Sequence, residues 1–130
     1  MKTILLIEDN KFPHSKFCQL LLTRGYQVIS AENGWMGLDM AIELQPDLII
    51  SDMNTPCLSG DEVLKILRAN FKTAHIPFIF LTSETNSNRR SSALKLGANA
   101  YLTKPLKTSD LFNTIAAQLQ EHQFSCPKAV

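Results

Sequence analysis

The sequence contains five short, almost uninterrupted apolar segments that are spread evenly along the chain. They are Thr3–Ile7, Tyr26–Ala31, Leu48–Ser51, Ile76–Leu81 and Ala100–Thr103. Continuous apolar runs of this length are typical of strands buried on both faces, as in a parallel sheet. This pattern limits the possible folds more than any other feature, and it predicts a parallel sheet covered by helices on both sides.

The segments between these runs show helical spacing, with apolar residues three or four positions apart. The five stripes are Phe17, Leu20 and Leu21; Leu38, Ala41 and Ile42; Val63, Leu64 and Leu67; Ala93, Leu94 and Leu96; and Leu111, Ile115 and Leu119. Strands that alternate with helices imply βαβ units with right-handed crossovers. Five repeats are too few for an eight-stranded barrel, so we predict an α/β fold with a five-stranded parallel, doubly wound sheet in the order 2-1-3-4-5.

The length and composition fit one globular domain. We expect residues 1–122 to form it and residues 123–130 to be a flexible tail or the start of a linker. No apolar run is long enough to cross a bilayer, and the net charge of +1 argues against binding nucleic acid or a membrane by charge. Three cysteines without paired spacing favour free thiols and a cytoplasmic location.

The aromatic residues have ordinary structural interpretations. We expect Trp35 to be a packing residue or a partly exposed anchor at the start of the second helix. The remaining residues of this kind are expected to be core and rim hydrophobes: Phe71, Phe78, Phe80, Phe112 and Phe124.

Polar residues follow four of the five predicted strands, where ligands bind in open α/β sheets. In chain order they are Glu8 with Asp9, then Asp52, then Thr82 with Glu84, then Lys104. The four strands are neighbours in the predicted order, so these side chains should meet at one rim. Each residue alone is commonly a turn or cap residue, but their coincidence on one rim indicates a site.

The residue types at this rim suit phosphoryl transfer. Crowded carboxylates repel one another and favour a bound cation, and oxygen ligands without His or Cys favour Mg²⁺. Lys104 supplies positive charge and Thr82 a hydroxyl donor for phosphoryl oxygens. A carboxylate can accept a phosphoryl group covalently, and Asp52 lies at the centre of the rim.

The order of motifs along the chain resembles the receiver domain of two-component response regulators over about residues 3–121, including the stand-alone chemotaxis receiver. The matching segments are Ile4–Asn10, Pro46–Pro56, Gly60, Pro77–Thr82 and Gly97–Pro105. The resemblance implies a flavodoxin-like receiver fold. It also implies roles: Asp52 as phosphoacceptor; Glu8, Asp9, Asp52 and Asn54 around Mg²⁺; Thr82 and Lys104 on the phosphate; Thr82 and Tyr101 as switch residues; Asn54 and Glu84 as tuners of dephosphorylation.

The resemblance further implies a phosphorylation-dependent signalling switch and not a classical enzyme. A sensor histidine kinase or histidine phosphotransfer protein would donate the phosphoryl group. The face formed by the fourth helix, fifth strand and fifth helix would then change its affinity for a downstream protein. We expect a monomer or a weak phosphorylation-dependent dimer that catalyses only its own phosphorylation and dephosphorylation.

Three other interpretations compete with this one. A pseudo-receiver would keep the fold as an interaction module without phosphorylation. An aspartate-nucleophile phosphatase of the haloacid dehalogenase type needs a second acid two residues after the nucleophile, where this chain has Asn54. A flavodoxin-type carrier needs a Ser/Thr-rich phosphate loop after the first strand, where Glu8 and Asp9 would repel a phosphate.

Overall fold

Strands and helices alternate without exception in the computed structural model of the chain, which describes residues 2–8, 16–53, 57–83, 87–104 and 106–124. The strands are β1 (Thr3–Ile7), β2 (Gln27–Ala31), β3 (Leu48–Ser51), β4 (Phe78–Thr82) and β5 (Ala100–Thr103). The helices are α1 (Lys16–Thr23), α2 (Gly34–Leu44), α3 (Gly60–Ala69), α4 (Ser87–Lys95) and α5 (Thr108–Phe124).

The strands form one parallel sheet in the order β2-β1-β3-β4-β5, as predicted. In-register pairs such as Leu5 with Ile49 and Ile50 with Ile79 run across its centre. Every residue of β3 and β4 is buried, as are Ile4–Ile7 of β1. This burial explains why these three strands read as continuous apolar runs in the sequence.

The fourth strand begins two residues later than the sequence pattern predicts. Ile76 belongs to the preceding turn, where its N–H donates to the Thr73 carbonyl at 3.1 Å. Pro77 has no N–H, and its carbonyl accepts a hydrogen bond from Ile49 at 2.9 Å, so β4 begins at Phe78. The apolar run therefore located the strand, but it also included Ile76 and Pro77, which are buried residues that precede the strand.

The sheet separates two apolar clusters. The cluster under α2, α3 and α4 includes Leu38, Val63, Leu67, Phe78 and Ala93. The cluster under α1 and α5 includes Leu21, Ile50, Leu111 and Ile115. Within the described part of the chain, no helix is both long and apolar enough to span a membrane, although α5 has 17 residues.

Two apolar residues do not lie where the sequence pattern placed them. Leu94, assigned to the buried stripe of α4, is exposed, because this short polar helix buries only Ala93. Phe71, expected in the core or at its rim, is 86% exposed. It sits at the tip of the turn after α3, where the Asn70 Oδ1 atom accepts the N–H of Lys72 at 2.9 Å. Such a turn satisfies its own backbone and leaves the intervening side chain in solvent.

The guanidinium of Arg68 joins α3 to two turns at the same edge of the sheet. It donates to the carbonyl of Gly97 at 3.0 Å, to the carbonyl of Ile76 at 2.8 Å and to Asn99 Oδ1 at 3.1 Å. Asn99 Oδ1 also accepts the N–H of Phe78 at 2.9 Å, which ties this group to the start of β4. Burial lowers the pKa of Arg68 from its ordinary value. We call this set of bonds the Arg68 clamp.

We predict that Arg68→Leu lowers the free energy of unfolding by about 3 kcal/mol, because several partly buried carbonyls lose a charged donor together. Arg68→Lys should recover less than half of the loss, since an ammonium cannot span the same set of acceptors. Urea denaturation measures both. Arg90→Leu on the exposed surface of α4 is the control and should change stability little. Equal stability of Arg68→Leu and the wild type would contradict a structural role for the clamp.

Candidate functional site

The carboxyl ends of β1 and β3 bring Glu8 and Asp52 side by side. The N–H of Asp52 donates to the Ile7 carbonyl at 3.0 Å, and the N–H of Glu8 donates to the Ala31 carbonyl at 3.1 Å. These bonds fix the backbone at the points where both residues leave the sheet. Glu8 and Asp52 are both half-buried, so two carboxyl groups enter the same rim with limited access to solvent.

The Lys104 side chain reaches across the end of β4 to Asp52. Its Nζ lies 3.3 Å from Asp52 Oδ1, although β4 separates the strands that carry the two residues. The N–H of Lys104 donates to the Thr82 carbonyl at 2.8 Å, which places Lys104 beside the end of β4. Thr82 is buried at this end. The structure thus brings the predicted acid and lysine into contact, beside the strand end that carries Thr82.

The aromatic ring of Phe17 lies beneath the same ammonium group. Lys104 Nζ is 5.5 Å from the ring centre, within the range of a cation–π interaction. The sequence pattern assigned Phe17 only to the apolar stripe of α1. Its contact with Lys104 could not be predicted, because the two residues are far apart in sequence and meet only when α1 packs on the sheet.

The start of α3 lies close to the backbone of Asp52. The N–H of Gly60 donates to the Met53 carbonyl at 2.9 Å, and the Ser51 hydroxyl donates to the Asp52 carbonyl at 2.8 Å. A Cβ atom on Gly60 would lie 2.6 Å from the Asp52 carbonyl oxygen and 2.7 Å from a ring carbon of Phe80. The start of α3 can therefore approach Asp52 only without a side chain at position 60.

Tyr101 lies on β5 between the buried sheet and an open surface depression. It is buried, with its ring centre 6.2 Å from that of Phe80. One side of Tyr101 borders a depression of about 590 Å³ that α4, β5 and α5 enclose. This depression is also lined by Arg90, Leu102, Leu106, Lys107 and Asp110. The predicted switch residue therefore touches both the core and the surface.

The remaining predicted site residues, Asp9, Asn54 and Glu84, lie outside the described residues. Within the described ranges, no group of three or more His, Cys, Asp or Glu residues could hold a metal ion. Glu8 and Asp52 nevertheless supply oxygen donors at adjacent strand ends, and carboxylates are the ligands that Mg²⁺ accepts. The two described members of the predicted ligand set, Glu8 and Asp52, therefore fit a hard divalent cation.

Comparison with known proteins decides the family. The family model for the response regulator receiver domain matches residues 4–116. The chain belongs to this family. As a receiver domain it is a part of two-component signalling, and this assignment favours the receiver interpretation over the phosphatase and flavodoxin classes.

Named relatives of this receiver domain include both a response regulator and a histidine kinase. The polar-differentiation response regulator DivK of Brucella anthropi is 34% identical over 118 residues, covering 91% of this chain and 96% of DivK. Histidine kinase P4 of Formosa agariphila is 37% identical over 108 residues, covering 83% of this chain. The chain spans only 8% of that kinase.

Solved receiver structures share the fold closely. A response regulator receiver domain protein from Clostridium thermocellum has a TM-score of 0.87 at 29% identity, covering 95% of this chain and 98% of that one. The receiver domain of sensor histidine kinase PA1611 from Pseudomonas aeruginosa has a TM-score of 0.83 at 28% identity, covering 92% and 98%. The latter was solved with a magnesium ion coordinated in its active-site cleft.

We predict that Gly60→Ala lowers the free energy of unfolding by ~2 kcal/mol, because the new methyl group must displace backbone at Asp52. Gly25→Ala is the matched control. Position 25 has φ of 88°, but no atom lies within 4 Å of the point that its Cβ would occupy, so its cost is the left-handed backbone alone, about 1 kcal/mol. Amide NMR shifts at Asp52 and Phe80 should move in Gly60→Ala and stay in place in Gly25→Ala. Unmoved shifts in both variants would contradict the close contact.

Proposed function

We propose that this receiver domain is a signalling switch that accepts a phosphoryl group on Asp52. The observation that carries the proposal is the 3.3 Å contact between Lys104 Nζ and Asp52 Oδ1 across β4, beside buried Thr82. This contact places a carboxylate nucleophile next to a cation at the carboxyl ends of the strands. Phosphoryl transfer depends mainly on such positioning and on neutralisation of charge.

In the proposed reaction a carboxylate oxygen of Asp52 attacks the phosphorus of a phosphohistidine on a histidine kinase or phosphotransfer protein. A P–O bond forms as the P–N bond breaks, and the histidine nitrogen leaves with the electron pair. The half-buried position of Asp52 limits the access of competing water. We propose that side chains at positions 54 and 84 tune the later hydrolysis of the acyl phosphate.

Mg²⁺ is the proposed cofactor. Glu8, Asp9 and Asp52 with the backbone carbonyl of Asn54 would hold it, and it would neutralise charge on the phosphoryl oxygens. The magnesium in the PA1611 receiver structure supports the choice of ion. The carboxylates at the ends of β1 and β3 would then hold the cation directly beside Asp52, the acid that is modified.

Lys104 and Thr82 are the proposed contacts of the transferred group. Phosphorylation adds about −1.5 to −2 charge at Asp52, which draws the Lys104 ammonium toward a phosphoryl oxygen. The Thr82 hydroxyl can donate to another. Because β4 carries Thr82 and leads into α4, a shift of Thr82 would be transmitted to that helix.

Helix α4 is the element best suited to respond. It buries a single residue, Ala93, and its first turn contacts α3 through Arg89 and Asp61 at 3.6 Å, a partly exposed ion pair of small energy. Few buried apolar contacts give an element low local stability. We propose that phosphorylation shifts α4 and favours the buried position of Tyr101. The depression between α4, β5 and α5 then changes its affinity for a downstream protein.

We further propose that the protein acts in the cytoplasm and that residues 1–122 carry the receiver function. Its catalysis is limited to its own phosphorylation and dephosphorylation. It needs neither nucleic acid nor a membrane as a partner. A kinase or phosphotransfer protein is the expected donor, which agrees with the presence of a related receiver segment in histidine kinase P4.

Phosphorylation is tested by intact-protein mass spectrometry after incubation with Mg²⁺ and acetyl phosphate or phosphoramidate. We expect one added phosphoryl group that disappears in Asp52→Ala and when Mg²⁺ is chelated. Cys57→Ser, in the same loop, is the control and should retain the adduct. Absence of an adduct from the wild type with every donor would leave a pseudo-receiver and refute the switch.

We predict that Lys104→Met slows phosphorylation of Asp52 about 100-fold, the usual cost of removing one charge-stabilising donor. The same variant should change the free energy of unfolding by less than about 1 kcal/mol, because the pair is exposed to solvent on one side. Phosphorylation kinetics and urea denaturation measure the two effects separately. A variant that phosphorylates at the wild-type rate would remove Lys104 from the mechanism.

A further inference from the structure

The Lys104 ammonium lies between a carboxylate and the face of an aromatic ring. Its Nζ atom is 3.3 Å from Asp52 Oδ1, and it lies over the ring of Phe17 at 5.5 Å from the ring centre. The face of an aromatic ring carries partial negative charge, so both neighbours attract the ammonium. The proposed function accounts for the contact with the carboxylate, but it leaves the ring of Phe17 without a role.

The side chain of Lys104 has reason to need a second contact. A lysine carries its charge on a flexible four-carbon stem, which samples many rotamers when nothing restrains it. The Lys104 backbone is fixed, since its N–H donates to the Thr82 carbonyl at 2.8 Å. The side chain, however, is 36% exposed to solvent. Burial alone therefore does not select one position for the ammonium.

The ring of Phe17 is held in place by the packing of α1. Phe17 is half-buried against the apolar cluster under α1 and α5, and Leu21, one turn later on the same helix face, is fully buried in that cluster. Leu102 and Leu106, which flank Lys104 in the sequence, pack against the same cluster. The ring and the lysine are therefore anchored in the same part of the core.

An aromatic ring differs from a second carboxylate as a neighbour of this ammonium. Another carboxylate beside Lys104 would pair with it and compete with the phosphoryl group for its hydrogen bonds. The face of a ring attracts the cation but forms no charged hydrogen bond, so the N–H donors of the ammonium stay available. Phe17 can therefore direct the ammonium toward Asp52 without neutralising it.

We propose that Phe17 is a positioning residue for the phosphorylation of Asp52, and that its ring holds the Lys104 ammonium beside the acceptor carboxylate. The inference rests on the proposed function, because it assigns Phe17 a task in that reaction. Phe17 acts through Lys104 and not on the transferred group. Its contribution to the rate should therefore be smaller than that of Lys104, and it should vanish when the ammonium is removed.

The rate of Asp52 phosphorylation by acetyl phosphate and Mg²⁺ in the full chain tests the proposal. A small donor is used because a change on α1 could also alter the docking of a protein donor. Phe17→Leu keeps an apolar side chain but removes the ring, and it should slow phosphorylation about fivefold, the order expected for loss of one cation–π contact. Phe17→Tyr keeps a ring and should react within about twofold of the wild-type rate. Leu20→Ala, at a half-buried position of the same helix, is the matched control and should leave the rate unchanged.

A double-mutant cycle separates positioning from a general structural effect. In the Lys104→Met background, Phe17→Leu should cause no further loss of rate, because the ring then has no cation to direct. A purely structural effect of Phe17→Leu would lower the rate by the same factor in both backgrounds. That result, or a wild-type rate for Phe17→Leu alone, would overturn the inference while leaving the proposed function intact.

Proton NMR measures the contact without phosphorylation. The ring current of Phe17 should move the ε-methylene resonances of Lys104 upfield in the wild type, and Phe17→Leu should remove this shift. Equal Lys104 resonances in the two proteins would show that the ring does not face the ammonium, and would overturn the inference alone. A wild type that shows the ring-current shift but accepts no phosphoryl group from any donor would instead refute the proposed function, and the positioning role with it.

Discussion

The site depends on the parallel register of β1, β3, β4 and β5. Because these four strands point the same way and lie side by side, each delivers its next residue to the same rim. The contact between Lys104 and Asp52 spans two strand spacings through the pairs Ser51 with Phe80 and Thr82 with Thr103. A slip of one residue in β4 would turn Thr82 to the other face of the sheet and separate these groups. The chemistry of the rim is thus a consequence of strand pairing.

The helices that cover the sheet differ in how many apolar side chains they bury. Helix α3 buries Val63, Leu64 and Leu67 fully and carries the Arg68 clamp. Helix α4 buries only Ala93. Gly60, the first residue of α3, lets that helix touch the backbone of Asp52 directly. Helix α3, which buries more apolar side chains, therefore packs directly on the backbone of Asp52, while the neighbouring α4 is held by fewer buried contacts.

Much of this arrangement could be predicted from the sequence because it rests on patterns of short range. Apolar runs located all five strands, and their alternation with helices indicated a doubly wound sheet, whose common five-stranded order is the one observed. The residues at the strand ends then predicted that Asp52 and Lys104 meet at one rim. Phe17 and Arg68 were missed because their partners are distant in sequence and depend on how helices and turns pack. Phe71 was misplaced because hydrophobicity alone does not distinguish a core residue from one displayed on a polar turn.

The Arg68 clamp also fixes the chain just beyond the end of α4. The Arg68 guanidinium donates to the carbonyl of Gly97, just beyond the end of α4. Gly97 has a φ of 112°, which is a left-handed backbone conformation that favours glycine. Near the other end of α4, Arg89 forms a partly exposed ion pair with Asp61. This end of α4 follows Thr82 along the chain, so a displacement near Thr82 acts on the end of the helix that lies away from the clamp. We therefore expect α4 to tilt about its Gly97 end, while the strand that follows Gly97 keeps its place in the sheet.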